Sequence, residues 1–516
     1  MNRVKILCAL LVMTVVTSCD KDFEEINKNP NSPEEVSSSL LLPTVIRSSV
    51  YEMGDLAWNY GNVVMQYTAK IQFTNEDRYN WGPQNDPYNQ FFGLLRDVNN
   101  VYKISDEAGE NNYKAIALIM KSWMYHIMTD TYGDLPYTDA VQAKEGVNFP
   151  EFDAQETIYN GILADLTEAN NLLGTSTENV SGDILFNGDL MRWKKFANSL
   201  LLRIHMRLSD KKDPSSAMQA ILNDPAKFPI FTENSDQAAI EFLADAPNQQ
   251  PLYTTRSGSF DEFRLSEKME GVLKSLDDPR LYAFAQPTTD SDAGLVGDKA
   301  DYEGVPNGLA DEQALQYAPS GDPTKGGSNF ISRVGIMYAC RACDPELASP
   351  IAAQVVLMSY AELQFILAEA RERGFITAGD AATYYTNGME ASFDYYETRL
   401  RVGKYDAIAD VVQPPVTYFQ QADVDYTGTT DEKLEKIGTQ KWISLFFNGV
   451  EAWADWRRTG YPTITPGPGA VISNVPTRFQ YPTGVQALNL DSYQAAIARQ
   501  GADNLATKVW WDVNDN

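Results

Sequence analysis

Residues 354–373, QVVLMSYAELQFILAEARER, are the stretch whose reading decides the fold. From Val355 to Ala370 the run is apolar almost all the way round, which marks a helix packed on several sides, not one lying on a surface. Gly374 ends it, and after a short turn residues 381–396 supply an antiparallel partner in which large side chains face small alanines. Helix pairs of this kind are the units of tetratricopeptide-like stacks, where each pair buries its apolar face against the next.

The chain on either side repeats the helical pattern. From Tyr113, the residues Ile116, Ala117, Met120, Met124, Ile127 and Met128 follow the three-four spacing of one helix face, and Gly133 and Pro136 end the run. Ile158, Ile162, Leu166, Ala169 and Leu173 predict a second helix over 155–173. A third, over 189–209, turns Trp193, Phe196, Leu200 and Ile204 inward, and its Lys194, Lys195, Arg203 and Arg207 read as a solvated face. Trp58, Tyr60 and Tyr67 share a stripe with Val63 and Val64 and read as core, as do Trp442, Trp453 and Trp456 in a last helical segment over 431–458. Between 211 and 350 Gly, Pro, Asp, Ser and Asn are dense and periodicity is weak, which predicts an irregular insert. So long an irregular stretch in a globular chain is more often functional than idle.

The first nineteen residues, MNRVKILCALLVMTVVTSC, have the layout of an export signal: Arg3 and Lys5, an apolar run from Ile6 to Val16, then small residues. That run is well short of the roughly 20 residues a spanning helix needs. Val16-Thr17-Ser18-Cys19 resembles the lipobox of bacterial lipoproteins, so Cys19 is expected to be lipidated, and two or more acyl chains would hold the body stably on a bilayer. Residues 20–40 begin with an acidic run, pass into Asn29-Pro30-Asn31-Ser32-Pro33, and read as a tether. The acidic run behind the cysteine resembles the surface-export signal of Bacteroidetes-type lipoproteins, which places the protein facing outward. The net charge of -28 argues against nucleic acid. Two cysteines remain, Cys340 and Cys343, and with only His126 and His205 in the chain they fit a local disulfide or two free thiols better than a metal or redox site. No metal site is expected, since no EF-hand loop occurs.

Several segments in order resemble one family. Arg192 to Leu200 (RWKKFANSL), Tyr360 to Leu363 with Ala368-Glu369-Ala370, Phe447 to Gly460 (FNGVEAWADWRRTG) and Arg478 to Pro482 (RFQYP) are similar to SusD/RagB-type nutrient-binding outer-membrane lipoproteins. TDTYGDLPYTDA (129–140) and NKNPN (27–31) resemble its SusD-like branch. Many relatives carry Phe-Glu-Gly-x-Arg where this chain has Phe447-Asn448-Gly449-Val450-Glu451. The resemblance implies a mainly α fold: tetratricopeptide-like helix pairs in a right-handed superhelical scaffold, with a loop-rich ligand-binding subdomain. The expected organisation is signal 1–19, tether 20–40 and helical body 41–516, with the insert near 211–350 and C-terminal helix pairs near 351–460. It also implies a SusC-like TonB-dependent transporter as partner, an outer-membrane, lipid-anchored location facing the exterior, and no cofactor.

Sugar rings offer flat C–H faces to aromatic side chains and hydroxyls to amides, carboxylates and guanidinium groups. The early cluster FTNEDRYNWGPQNDPY (73–88) interleaves Asn75, Asp77, Arg78, Tyr79, Trp81 and Tyr88, and the insert offers Tyr302, Asn307, Tyr317 and Asn329. These ten are the expected ligand residues, for a glycan or oligosaccharide delivered to the transporter. The competing readings are an extracellular glycoside hydrolase, for which two carboxylates suffice, a peptide-binding relative, and a scaffold that holds no ligand. No Gly-x-Ser-x-Gly elbow, His-Glu-x-x-His or phosphate loop occurs, so the expected protein is not an enzyme.

Overall fold

The computed structural model describes residues 36–318 and 327–514. The signal, Cys19 and most of the expected tether lie outside those residues. Helices of nine residues or more carry the architecture: α1 (Ser38–Leu56), α2 (Asn85–Ala108), α3 (Asn111–Tyr132), α4 (Gln155–Leu172), α5 (Leu190–Arg207), α6 (Ser215–Asn223), α7 (Glu267–Ser275), α8 (Tyr360–Glu372), α9 (Ala381–Val402), α10 (Thr430–Ser444), α11 (Gly449–Thr459) and α12 (Leu490–Gln500). The boundaries have local causes. Asp189 caps α5 by accepting from the Met191 and Arg192 amides, Ser359 caps α8 through the Glu362 amide, and Thr429 with Glu432 forms a capping box on α10. Gly109, left-handed at φ 72°, closes α2 and lets α3 return antiparallel after one further residue.

Sequential helices pack as neighbours from α2 through α5, and α8 packs between α9 and α10. The expected helix pairs are therefore present, within a mainly α protein. Two short antiparallel ladders pin the irregular insert to them: β1 (Thr68–Lys70) pairs with β3 (Phe263–Leu265), and β2 (Ala238–Ile240) with β4 (Val355–Met358).

Three expectations are corrected. Val355–Met358 is strand β4, not the first turn of α8: β-branched residues there meet β2, and Ser359 starts the helix only afterwards. The segment 431–458 is two helices, broken at Leu445–Asn448, where Phe447 adopts φ 69°. The break lets Gly449 press on Gly61; a Cβ at Gly61 would fall 2.5 Å from the Val450 amide nitrogen.

The third correction concerns Arg203 and Arg207, which are buried, while Lys194 and Lys195 are half-exposed. Arg203 donates through Nε and a terminal nitrogen to both oxygens of Glu362 at 2.7 and 2.6 Å, joining α5 to α8. Arg207 pairs with Glu451 of α11 and lies 3.3 Å from Asp130 of α3, and His126 stands between those two carboxylates. Beyond them Arg458 pairs with Glu369 and Asp455, and Lys441 reaches Asp455 at 2.8 Å. Burial alone would raise these carboxyls, but the cations outweigh it: Arg207 and Arg203 hold Glu451 well below the usual range, and Lys441 and Arg458 bring Asp455 to about 2. At Glu362 burial wins, and its carboxyl sits above its ordinary value despite Arg203. A helical stripe of cations in an acidic chain thus meets acidic partners contributed by distant helices.

Candidate functional site

A cleft opens where α1, the insert and β4 converge. Residues Ala57–Gly61 extend α1 as a π turn, a local widening often found at functional sites, and place Trp58 and Asn59 on the cleft wall. The Trp58 ring lies 4.4 Å from Phe263 and 5.5 Å from Phe447, and Phe447 stacks on Tyr338 at 3.7 Å. Lys70 of β1 reaches Glu76 at 2.7 Å and sits over the Phe263 ring, with Glu262 3.7 Å away. Burial raises the carboxyls of Asp55 and Glu262, the latter against the pull of Lys70. These groups surround a chamber of ≈ 420 Å³.

A second chamber of ≈ 730 Å³ adjoins the first across Phe242 and Gln354, and is walled by Arg47, Tyr51, Arg192 and Glu241. Both volumes fall in the range of small-molecule sites, roughly 300–1,000 Å³. The β2–β4 ladder sets the shared wall, because Ile240 pairs with Val355 and so brings Phe242 and Gln354 to the strand ends. Aromatic edges with amides, three carboxylates, a lysine and two arginines around the adjoining chambers can hold a polyhydroxylated ring or a chain of them.

A sequence profile described as starch-binding and associating with the outer membrane, SusD-like, matches residues 30–482. The chain belongs to the SusD-like family. Its members are nutrient- or glycan-binding proteins associated with the outer membrane. The crystal structure of a SusD homologue from Bacteroides fragilis superposes with a TM-score of 0.75 at 26% identity, over 93% of this chain and 99% of that one. A protein described as chitin-binding is 29% identical with a TM-score of 0.72, over 92% of this chain and 99% of the other. A Flavobacterium johnsoniae homologue at 24% identity and a TM-score of 0.73, over 92% of this chain and 99% of its own, shares the fold. SusD-like protein P2 of Formosa agariphila is 24% identical over 159 residues, so that match spans 30% of this chain and 30% of that protein.

In this SusD-like protein none of the ten residues singled out from sequence lines the two chambers. Asp77 and Asn307, drawn from distant segments, do meet: the Asn307 amide donates to Asp77 at 2.7 Å and to the Thr68 carbonyl at 2.8 Å. The pair is a buried strut under β1, where burial pushes the Asp77 carboxyl up to about 6. Trp81 donates to the Glu76 carbonyl and packs edge-on among Tyr60, Tyr79, Trp453 and Phe479. Tyr88 lies against Phe92 and Tyr132, and Tyr302 against Tyr282. Arg78, half-buried, bonds the Gly469 carbonyl, and Tyr317 covers a small apolar cluster. Asn75 and Asn329 are exposed.

The aromatic-rich early loop is thus mostly packing, and the cleft aromatics come from elsewhere. Trp58 was expected in the core and is buried, with one edge reaching the cleft. Lys70, Phe242 and Gln354 carry no sequence pattern that marks them, since the β2–β4 ladder brings Phe242 to Gln354, and the β1–β3 ladder Lys70 to Phe263, each across more than a hundred residues of chain. Cys340 and Cys343 form a disulfide just beyond Tyr338, which resolves the two thiol readings.

Proposed function

We propose that the protein is a cell-surface lipoprotein, acylated at Cys19, that binds an oligosaccharide in this cleft and passes it to a SusC-like TonB-dependent transporter. The cleft carries the reading: two adjoining chambers share a wall at Phe242 and Gln354, and are lined by aromatic edges and by amide oxygens that have no hydrogen-bond partner. The 29% identical relative described as chitin-binding supports a glycan as ligand. Hydrolysis is not part of the proposal, and the body is taken to run from about residue 41 to 516.

The test is retention on immobilised glycans before and after Phe242→Leu. Leucine keeps most of the volume and removes the flat ring, so the fold should lose less than about 1.5 kcal/mol. Loss of one aromatic contact should weaken retention several-fold. Unchanged retention by Phe242→Leu would exclude this cleft as the ligand site, and release of shortened sugars by the protein alone would favour the hydrolase.

A further inference from the structure

Between the two chambers runs a narrow side pocket of ≈ 30 Å³, which shares Gln354, Tyr338 and Phe447 with the first and Asn234, Gln237 and Gln354 with the second. It is far too small for a sugar ring. It has room for a single substituent or one or two waters.

The side-chain oxygens of Asn234, Gln237, Gln354 and Asn448 are buried and have no hydrogen-bond partner. The orientation of three of them is fixed by the amide nitrogens: Asn234 donates to the Ala391 carbonyl at 2.8 Å, Gln354 to Glu241 at 2.6 Å, and Asn448 to the Val356 carbonyl at 3.2 Å. Those three oxygens therefore cannot exchange places with the nitrogens without losing those bonds. Four acceptors are left that ask for donors, and a buried acceptor without a donor is unfavourable. The rest of the wall carries the hydroxyls of Ser359, Ser392, Ser444, Tyr395 and Tyr396 beside Val356, Leu445 and the stacked Tyr338–Phe447 pair.

We propose that this side pocket is an N-acyl subsite that takes the acetamido group of an N-acetylated sugar whose ring occupies an adjoining chamber. The inference rests on the reading of the cleft as the glycan site. An acetamido group suits this lining: its N–H gives one of the amide oxygens a donor, its carbonyl accepts from a wall hydroxyl, and its methyl meets Val356, Leu445 and the Tyr338–Phe447 pair. A plain hydroxyl has no methyl to fill the pocket. No charged side chain lines it among the described residues, so a carboxylate would face four oxygens, and an ammonium would lose its water with no counter-charge.

Calorimetry on the full chain tests this with three tetrasaccharides of one linkage: N-acetylglucosamine, glucosamine and glucose. The expected result is that the N-acetylated tetramer binds at least about tenfold tighter than either of the others. Gln354→Met, nearly isosteric and lacking the acceptor, should erase most of that preference while circular dichroism shows the fold retained. Equal binding of the glucose tetramer would overturn the subsite and leave the glycan reading standing. Binding of none of the three would overturn both.

Discussion

The helical core and the cleft wall both contain arginine–glutamate pairs, and they are put to different use. In the core, Arg203 meets Glu362 two-to-two, with both side chains buried and the partners on different helices. At the cleft rim a single terminal nitrogen of Arg399 reaches both oxygens of Glu241 at 2.9 Å, and the Glu241 side chain is 62% exposed. Arg399 does not depend on that carboxylate, since it also donates to the carbonyls of Ala352 and Ile351. Buried charge must be matched because the low-dielectric interior offers nothing else, whereas a rim charge has water. The core is thus locked by ions, and the cleft keeps polar groups uncommitted.

The sharpest way to break that contrast is Glu451→Ala. The carboxylate contacts Arg207, Arg203 and His126, so its removal leaves buried cations short of a partner. The expected loss is roughly 3–5 kcal/mol, read as a lower urea midpoint. Glycan affinity of the protein that remains folded should be unchanged. A midpoint within error of the parent would mean that the core pairs do not hold the helices together.

Acid acts on the same network with a smaller amplitude. Glu451, Glu369 and Asp455 all titrate below their ordinary values when folded, so they bind protons more readily unfolded. Their stabilisation is complete only above about pH 5 and is lost as the pH falls toward 2; for Asp455 it amounts to about 2 kcal/mol. Glu362, raised by burial, works the other way and offsets part of the loss. Asp455→Asn should flatten the fall in stability between pH 4 and 2, measured by urea unfolding at stepped pH. A slope identical to the parent's would remove Asp455 from the network.

The same division explains what could be read from the sequence. The α3, α4 and α5 stripes were legible because three-four spacing records which face is buried, and the family segments at 192–200 and 447–460 are themselves packing residues. Arg203 and Arg207 were misread because spacing records that a residue faces inward or outward only if its polarity agrees, and here charge is turned in toward partners more than 150 residues away. Val355–Met358 misled for a related reason: a buried strand and a buried helix are both apolar throughout. Trp81 and its neighbours have the composition of a sugar-binding loop yet pack against Trp453 and Phe479, since composition does not say which way a ring points. The cleft itself could not be foreseen, because it exists only where 58, 70, 242, 338, 354 and 447 converge.

The smallest predicted effect sharpens the comparison most directly. Glu241→Gln removes the rim charge, keeps an acceptor for Arg399, and leaves that guanidinium on the Ala352 and Ile351 carbonyls. Stability should change by less than about 1 kcal/mol. The consequence should appear in the cleft, because Glu241 is also the acceptor that orients the Gln354 amide. A neutral acceptor holds that amide less firmly, so ligand affinity should fall while the thermal midpoint stays almost fixed. A drop in midpoint as large as that of Glu451→Ala, with affinity unmoved, would show that the rim pair is a structural lock like the core pairs and that the two regions do not differ in the way argued.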